Sequence, residues 1–320
     1  MQKKAFITGI SGFAGSFLAE HLLSTDTYKV AGTYLTKSSL DILGQTTSTL
    51  SLYNVDLLDK QSITKSIDEY RPDVIFHLAA ISNVPQSFKD PGGTITNNVQ
   101  AQLHLFSAVQ DAKLDDTKIV VVSSADVYGN VPSDELPIDE QTPFAPPNPY
   151  AVSKLTQDML GLQYFLAFRL PVIRVRPFNH IGPRQSEGFV ISDFAAKIAR
   201  IENGKEDPTI YVGNLEPKRD FTDVRDMVRA YALLAEKGHP GDVYNIGTGV
   251  SHTIRDVLNT LLRLAKVPIA VAADKKLFRP SETLDRVCNA AKMQTVTHWK
   301  PEISLRQSLE DTLDYWRKIV

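Results

Sequence analysis

Two short stretches of the 320-residue chain carry side chains suited to moving a proton: "SSADVYG" at 123–129, and "NPYAVSK", which ends at Lys154. Tyr150 and Lys154 stand four apart at the start of a helical pattern, so both project from one face. A phenol titrates near pH 10 and is a poor proton shuttle at neutral pH, but an ammonium group within a few ångströms pulls that value down. Ser124 follows an apolar run that reads as a buried strand and completes a hydrogen-bonding pair on a reacting oxygen. Asp126 adds a carboxylate, and what that carboxylate does separates one reaction type from another.

A third stretch supplies the other half of the chemistry. "TGISGFAG" places Gly9, Gly12 and Gly15 in the spacing G-x-x-G-x-x-G, after an apolar strand and at the opening of a helix. Glycines there let the chain turn tightly, let a pyrophosphate approach the backbone, and let the helix pack close to the strand with its N-terminus facing the phosphates. The pattern implies a dinucleotide, whose positive nicotinamide ring would help depress the Tyr150 phenol. After the second strand, where an acidic residue would hold the ribose 2′-hydroxyl of NAD, the chain has Thr33, Tyr34, Leu35, Thr36 and Lys37. That absence, with Lys37 and Ser38 as donors, favours NADP(H), with NAD(H) as the alternative. Asp56, after the third strand, is either an acceptor for the adenine amino group or a helix-capping aspartate.

The elements that must hold these groups alternate. "KAFITG", "YKVAGTY", "DVIFHLAA", "KIVVVSSA" and "PVIRVRPFN" read as strands, separated by helical patterns such as "FAGSFLAEHLL" and "YAVSKLTQDMLGLQYFL", with a helix opening at Asn98. That rhythm implies βαβ units and a Rossmann-type, doubly wound parallel sheet. The expected division puts 1–178 and 220–248 in the dinucleotide-binding domain, and 179–219 and 249–320 in a smaller, discontinuous substrate domain. Hydrophobic residues at 42%, charged residues at 22% and a net charge of -2 give no footprint for nucleic acid or an anionic membrane surface. No stretch reaches the roughly 20 apolar residues of a membrane helix, and a cytoplasmic location is expected. The seven histidines lack metal-ligand spacing, and the single Cys288 reads as a small buried hydrophobe. The apolar faces of the 98–112 and 150–168 helices suggest a homodimer.

Taken together, "TGISGFAG", "DVIFHLAA", "SSADVYG", "YAVSK", "RPFNHIGP" and "RDFTDVRD" resemble, in order and spacing, the extended short-chain dehydrogenase/reductase family of nucleotide-sugar epimerases, dehydratases and reductases. The cofactor-binding set then comprises Gly9, Gly12, Phe13 and Gly15, with Lys37, Asp56 and Leu57. It also takes in Leu78, Ala79, Ala80 and Asn98, alongside Tyr150 and Lys154. Ala101-Gln102 departs from the family's usual Gly-Thr beside Asn98. At the substrate end, "FNHIGPRQSEGFV", "VGNLEPKRDFTDVRD" and "RPSE" look closest to the GDP-4-keto-6-deoxy-D-mannose reductases and GDP-mannose 4,6-dehydratases. That resemblance implies a GDP-sugar whose pyrophosphate is held by Asn179, Arg219 and Arg279, with Glu282 on a ribose hydroxyl. Val190 and Lys197 complete the expected substrate set, Arg184 is a further candidate, and His180 reads as structural. A diphosphate suits fork-shaped, permanently charged donors.

Asp126 then chooses the reaction. A 4,6-dehydratase must also remove a C5 proton and expel the C6 hydroxyl, and the family's dehydratases carry a glutamate at this position. An aspartate is shorter by a methylene, and a displacement of about 1 Å can cost about a hundredfold in rate. Ala125 has no proton to give. A reductase needs only a hydride at C4 and a proton from Tyr150. The expectation is therefore reduction of a GDP-4-keto-6-deoxyhexose, with a 4,6-dehydratase, a 4-epimerase or a catalytically silent dinucleotide-binding protein as alternatives.

Overall fold

In the computed structural model, which describes residues 2–277 and 284–320, β-branched runs form a parallel sheet and amphipathic segments cover both of its faces. Its strands are β1 (Lys3–Thr8), β2 (Tyr28–Tyr34), β3 (Ser51–Asn54), β4 (Val74–His77), β5 (Lys118–Val122), β6 (Val172–Pro177) and β10 (Val243–Ile246). They lie side by side in the order β10-β6-β5-β4-β1-β2-β3, every pair parallel. The Rossmann-type sheet read from the sequence is thus the observed one. Strands such as "VIFH" and "VIRVRP" are buried along their whole length, as a sheet covered on both sides requires.

The helices α1 (Phe13–Ser24), α2 (Lys60–Tyr70), α3 (Val84–Lys89), α4 (Pro91–Asp111), α5 (Pro149–Phe168) and α7 (Val224–Lys237) flank that sheet. One core gathers around α1, α7 and the first strands, and a second lies under α2 and α4. Helix α4 starts well before Asn98, because Pro91 suits a first helical position and Asp90 accepts from the Gly93 amide at 2.9 Å.

A smaller unit has its own core. It holds the three-stranded sheet of β7 (Asn179–Ile181), β9 (Lys218–Asp223) and β11 (Ser251–Thr253), and the pair β8 (Thr209–Val212) and β12 (Ala270–Ala273). Helices α6 (Val190–Glu202), α8 (Ile254–Leu264) and α10 (Leu305–Ile319) pack around them. The division of the chain is finer than the sequence suggested. Strand β9 carries residues 220–223 into the small sheet, whereas α9 (Ala291–Thr297) with Met293 and Trp299 joins the core of the large one.

Deep in the large unit Asp158 of α5 accepts from Arg174 at 2.8 Å and from Arg176 at 2.7 Å, with all three side chains buried. Arg176 also donates to the Tyr128 hydroxyl, which in turn donates to Asn245, so β6, α5 and β10 are held in register behind the catalytic strand ends. Removing one partner of such a cluster strands the opposite charge. Asp158→Ala is expected to cost about 3–5 kcal/mol in urea unfolding; a loss of under about 1 kcal/mol, as for an exposed pair, would mean that water reaches the guanidinium groups.

Candidate functional site

Strand order reverses between β1 and β4, and outside the C-terminal ends of the strands at that point lies a cleft of about 1490 Å³. Gly9, Gly12, Phe13 and Gly15 form one wall, with Asp56, Leu57 and Leu78 to Ala80 beside them. Gly9 has φ +72°, a left-handed conformation that favours glycine, and a Cβ on Gly15 would stand 2.2 Å from the Gly9 carbonyl. Helix α1 begins at Gly12 with no side-chain cap and no acid in its first turn, so its N-terminal dipole is left uncompensated toward the cleft. On the floor the Tyr231 hydroxyl is buried and has no hydrogen-bond partner among the described residues. Close backbone, open helix terminus and orphaned donor together fit a dinucleotide.

The adenosine end differs in detail from the sequence reading. Thr33 to Thr36 line the cleft, and Ser39 Oγ lies 2.8 Å from Ser11 Oγ, whereas Lys37 is exposed and off the wall. Asp56 lines the cleft and accepts from the Leu58 amide at 2.9 Å; the cap of α2 is Asp59, which accepts from the amides of Gln61 and Ser62. Asn98 is not on the wall. It is wholly buried, accepts from the Ile81 amide at 2.7 Å and donates to Ser153 at 2.9 Å, tying the loop after β4 to α5. Its neighbour Asn97 is the one that reaches the cleft.

Ser124, Tyr150 and Lys154 converge on the same cleft. Ser124 caps a 3-10 turn, Ala125–Tyr128, its Oγ accepting from the Asp126 amide at 3.1 Å, and it hydrogen-bonds the Tyr150 hydroxyl. Asn148 caps α5 and Pro149 opens it, which sets Tyr150 and Lys154 one turn apart on the inner face. Burial holds the Tyr150 phenol above its usual range, the Asp126 charge adds to this, and Ser124 and Arg286 oppose it. The expected depression of that phenol by Lys154 is therefore not met here. Lys154 is itself buried, which pushes its ammonium down to about 7 against the pull of Asp158, and it donates to Gln157 at 2.8 Å. Asp126 is bound by Arg286 in an ion pair.

On the opposite side, Asn179, Val190, Lys197 and Arg219 line the cleft. Lys197 pairs with Glu206, and Arg219 donates to the Lys218 carbonyl at 2.7 Å. Arg279 and Glu282 lie outside the described residues. Arg184 is drawn away to Glu20 at 2.8 Å and over the Phe17 ring. His180 stacks on Phe13 with ring centroids 5.8 Å apart, and burial lowers its pKa. Sequence reasoning missed Arg286, Gln157 and Tyr231. Arg286 meets Asp126 across 160 residues, which no local pattern announces. Gln157 lies one helical turn after Lys154, and that spacing was a usable signal.

Comparison with known proteins agrees with this geometry. The family model for GDP-mannose 4,6 dehydratase matches residues 6–312. Over 320 residues the chain is 35% identical to the GDP-6-deoxy-D-mannose reductase of Pseudomonas aeruginosa, covering 100% of this chain and 99% of that one. It is 30% identical over 346 residues to a GDP-mannose 4,6-dehydratase of Vibrio cholerae, covering 96% and 92%. The solved structure of RMD from Pseudomonas aeruginosa complexed with NADPH is similar with a TM-score of 0.87 at 34% identity, covering 100% of both chains.

The glycine wall generates a test that needs no substrate. Gly15→Ala places a methyl against the Gly9 carbonyl, so NADPH affinity, followed by fluorescence titration, is expected to fall at least about tenfold, or about 1.4 kcal/mol. Unchanged affinity would mean that α1 can shift without disturbing the site.

Proposed function

The chain belongs to the GDP-mannose 4,6 dehydratase family of extended short-chain dehydrogenases/reductases, and within it we propose that this protein uses NADPH to reduce the C4 ketone of a GDP-4-keto-6-deoxyhexose to a GDP-6-deoxyhexose of the rhamnose type. The cofactor, when bound, supplies the hydride. The chain's own residues do the rest. Ser124 and Tyr150 hold the C4 oxygen between two hydroxyls, and as charge develops there Tyr150 gives up its proton. A phenol kept above its usual range stays protonated at neutral pH, which suits donation rather than abstraction.

The observation that carries the choice is the Asp126–Arg286 pair. The ion pair engages a carboxylate oxygen of Asp126 with Arg286, and Asp126 is the group that would have to be free to take a C5 proton in a dehydratase. Identity to the Pseudomonas reductase over the full chain supports the same reading. The reading seats the sugar nucleotide between Asn179, Val190, Lys197 and Arg219 on the smaller unit and the catalytic strand ends on the larger, with the diphosphate on Asn179, Arg219 and, from the sequence alone, Arg279, and with Glu282 on a ribose hydroxyl, again from the sequence alone. NADPH is preferred to NADH because no carboxylate occupies the wall from Thr33 to Thr36. No helix among the described residues is long and apolar enough to cross a membrane. The reading includes a cytoplasmic homodimer, supported by Val152, Leu166 and Phe168, which stand exposed on α5.

Tyr150→Phe is expected to lower kcat with GDP-4-keto-6-deoxymannose and NADPH by about a hundredfold or more, and Asp126→Asn by much less. Conversion of GDP-mannose to a 4-keto product without net use of cofactor, abolished by Asp126→Asn, would identify a dehydratase instead. For the cofactor, kcat/KM with NADPH is expected to equal or exceed that with NADH; a tenfold preference for NADH would overturn that part of the reading. Sedimentation velocity is expected to give twice the chain mass, and a single species at 35.5 kDa would remove the dimer.

A further inference from the structure

Behind Tyr150 a chain of buried polar groups runs from β1 to the active-site lysine. Lys154 Nζ donates to Gln157 Oε1 at 2.8 Å. The Gln157 amide nitrogen has two acceptors in reach, the Asn98 carbonyl at 2.9 Å and His77 Nε2 at 3.2 Å. His77 Nδ1 in turn lies 2.9 Å from Thr8 Oγ1. Lys154, Gln157, His77, Asn98 and Thr8 are all buried. With both of its hydrogens engaged, Gln157 has only its oxygen left to present to the ammonium, and its amide cannot turn over without breaking two bonds. With Nε2 accepting, His77 carries its proton on Nδ1 and donates to Thr8. Burial lowers the His77 pKa to about 3, so it stays neutral through the working range.

The charges around Lys154 are arranged so that none touches it. Asp158, the next residue after Gln157, is turned to Arg174 and Arg176 of β6. Asp126, from the 3-10 turn beside α5, is bound to Arg286. Helix α4 faces α5 with the neutral Asn98 and Gln102, β4 with the neutral His77, and β5 with Ser123, whose hydroxyl donates to the Lys154 carbonyl at 3.0 Å. Helix α3 carries Lys89 at its exposed end.

We propose that Gln157 is a positioning residue for the reaction: locked by His77 and Asn98, it holds the Lys154 ammonium on the cleft wall with a neutral oxygen, so that the cation is oriented without being neutralised. A carboxylate in its place would hold the lysine as firmly but cancel its charge toward the cleft. An apolar side chain would leave the ammonium buried without an acceptor. The inference rests on the reductase reading for its catalytic meaning, but its geometry does not.

The decisive measurement is therefore made first without turnover. Lysine labelled with 13C at Cε is followed through a pH titration of the apo protein, with the Lys154 signal assigned by its loss in Lys154→Met. In the wild type its midpoint is expected near pH 7, as burial implies. Gln157→Glu is expected to move it up by about 1–3 units, as an opposite charge in contact does. His77 can accommodate that carboxylate by moving its proton to Nε2 while Thr8 donates to Nδ1. Gln157→Met, close to glutamine in volume but without an acceptor, is expected to move the midpoint down, and it carries the test alone should the Glu variant fail to fold. In the reductase assay the basic limb of kcat/KM against pH is expected to follow the same two directions. A midpoint that stays put in the Met variant, or moves the same way in both, overturns the proposal. Failure of the wild type to reduce a GDP-4-keto sugar would count against the reductase reading and leave the titration result standing.

Discussion

Everything at the active site depends on a missing methyl group. Because Gly15 lets α1 lie against the carbonyl of Gly9, the helix can begin directly at the end of β1 and aim its N-terminus into the opening between β1 and β4. From that contact the other placements follow. The opening is where diverging connections leave the strand ends uncovered, so the residues just past β4, β5 and β6 all face one space. Ser124 is there because β5 ends at Val122, and Asn179 because β6 ends at Pro177. Tyr150 and Lys154 arrive from α5, anchored behind by the buried Asp158.

A second regularity is electrostatic. The two carboxylates nearest Tyr150 and Lys154 are tied to guanidinium groups, Asp126 to Arg286 and Asp158 to Arg174 and Arg176. Lys154, the buried ammonium among the described residues, is left with a neutral amide. Among the described residues, the ammonium on this wall is thus held by an amide oxygen rather than by a carboxylate.

How much of this was legible in the sequence follows from how local each signal is. The sheet was readable because its strands are continuous β-branched runs, and the glycine loop and the Tyr150–Lys154 spacing were readable because each lies within one turn or one loop. Asn98 was not legible as an inward residue because spacing locates a residue on a helix but not which face is turned outward, and here it is buried against Ile81 and Ser153. Position after β2 singles out Lys37 and Ser38 as donors, but it is Ser39 that the turn carries to Ser11, while Lys37 stands exposed. Arg286 was invisible since its partner lies 160 residues away and only the tertiary fold brings the two together.

The path of the chain between the two units has a consequence for engineering. It leaves the large sheet after β6, returns with α7 and β10, leaves again for β11 to β12, comes back with α9 and Trp299, and ends with α10 on the smaller core. The smaller unit is therefore not a cassette. Grafting it onto another dinucleotide-binding sheet would require several simultaneous junctions, each beside a packed core.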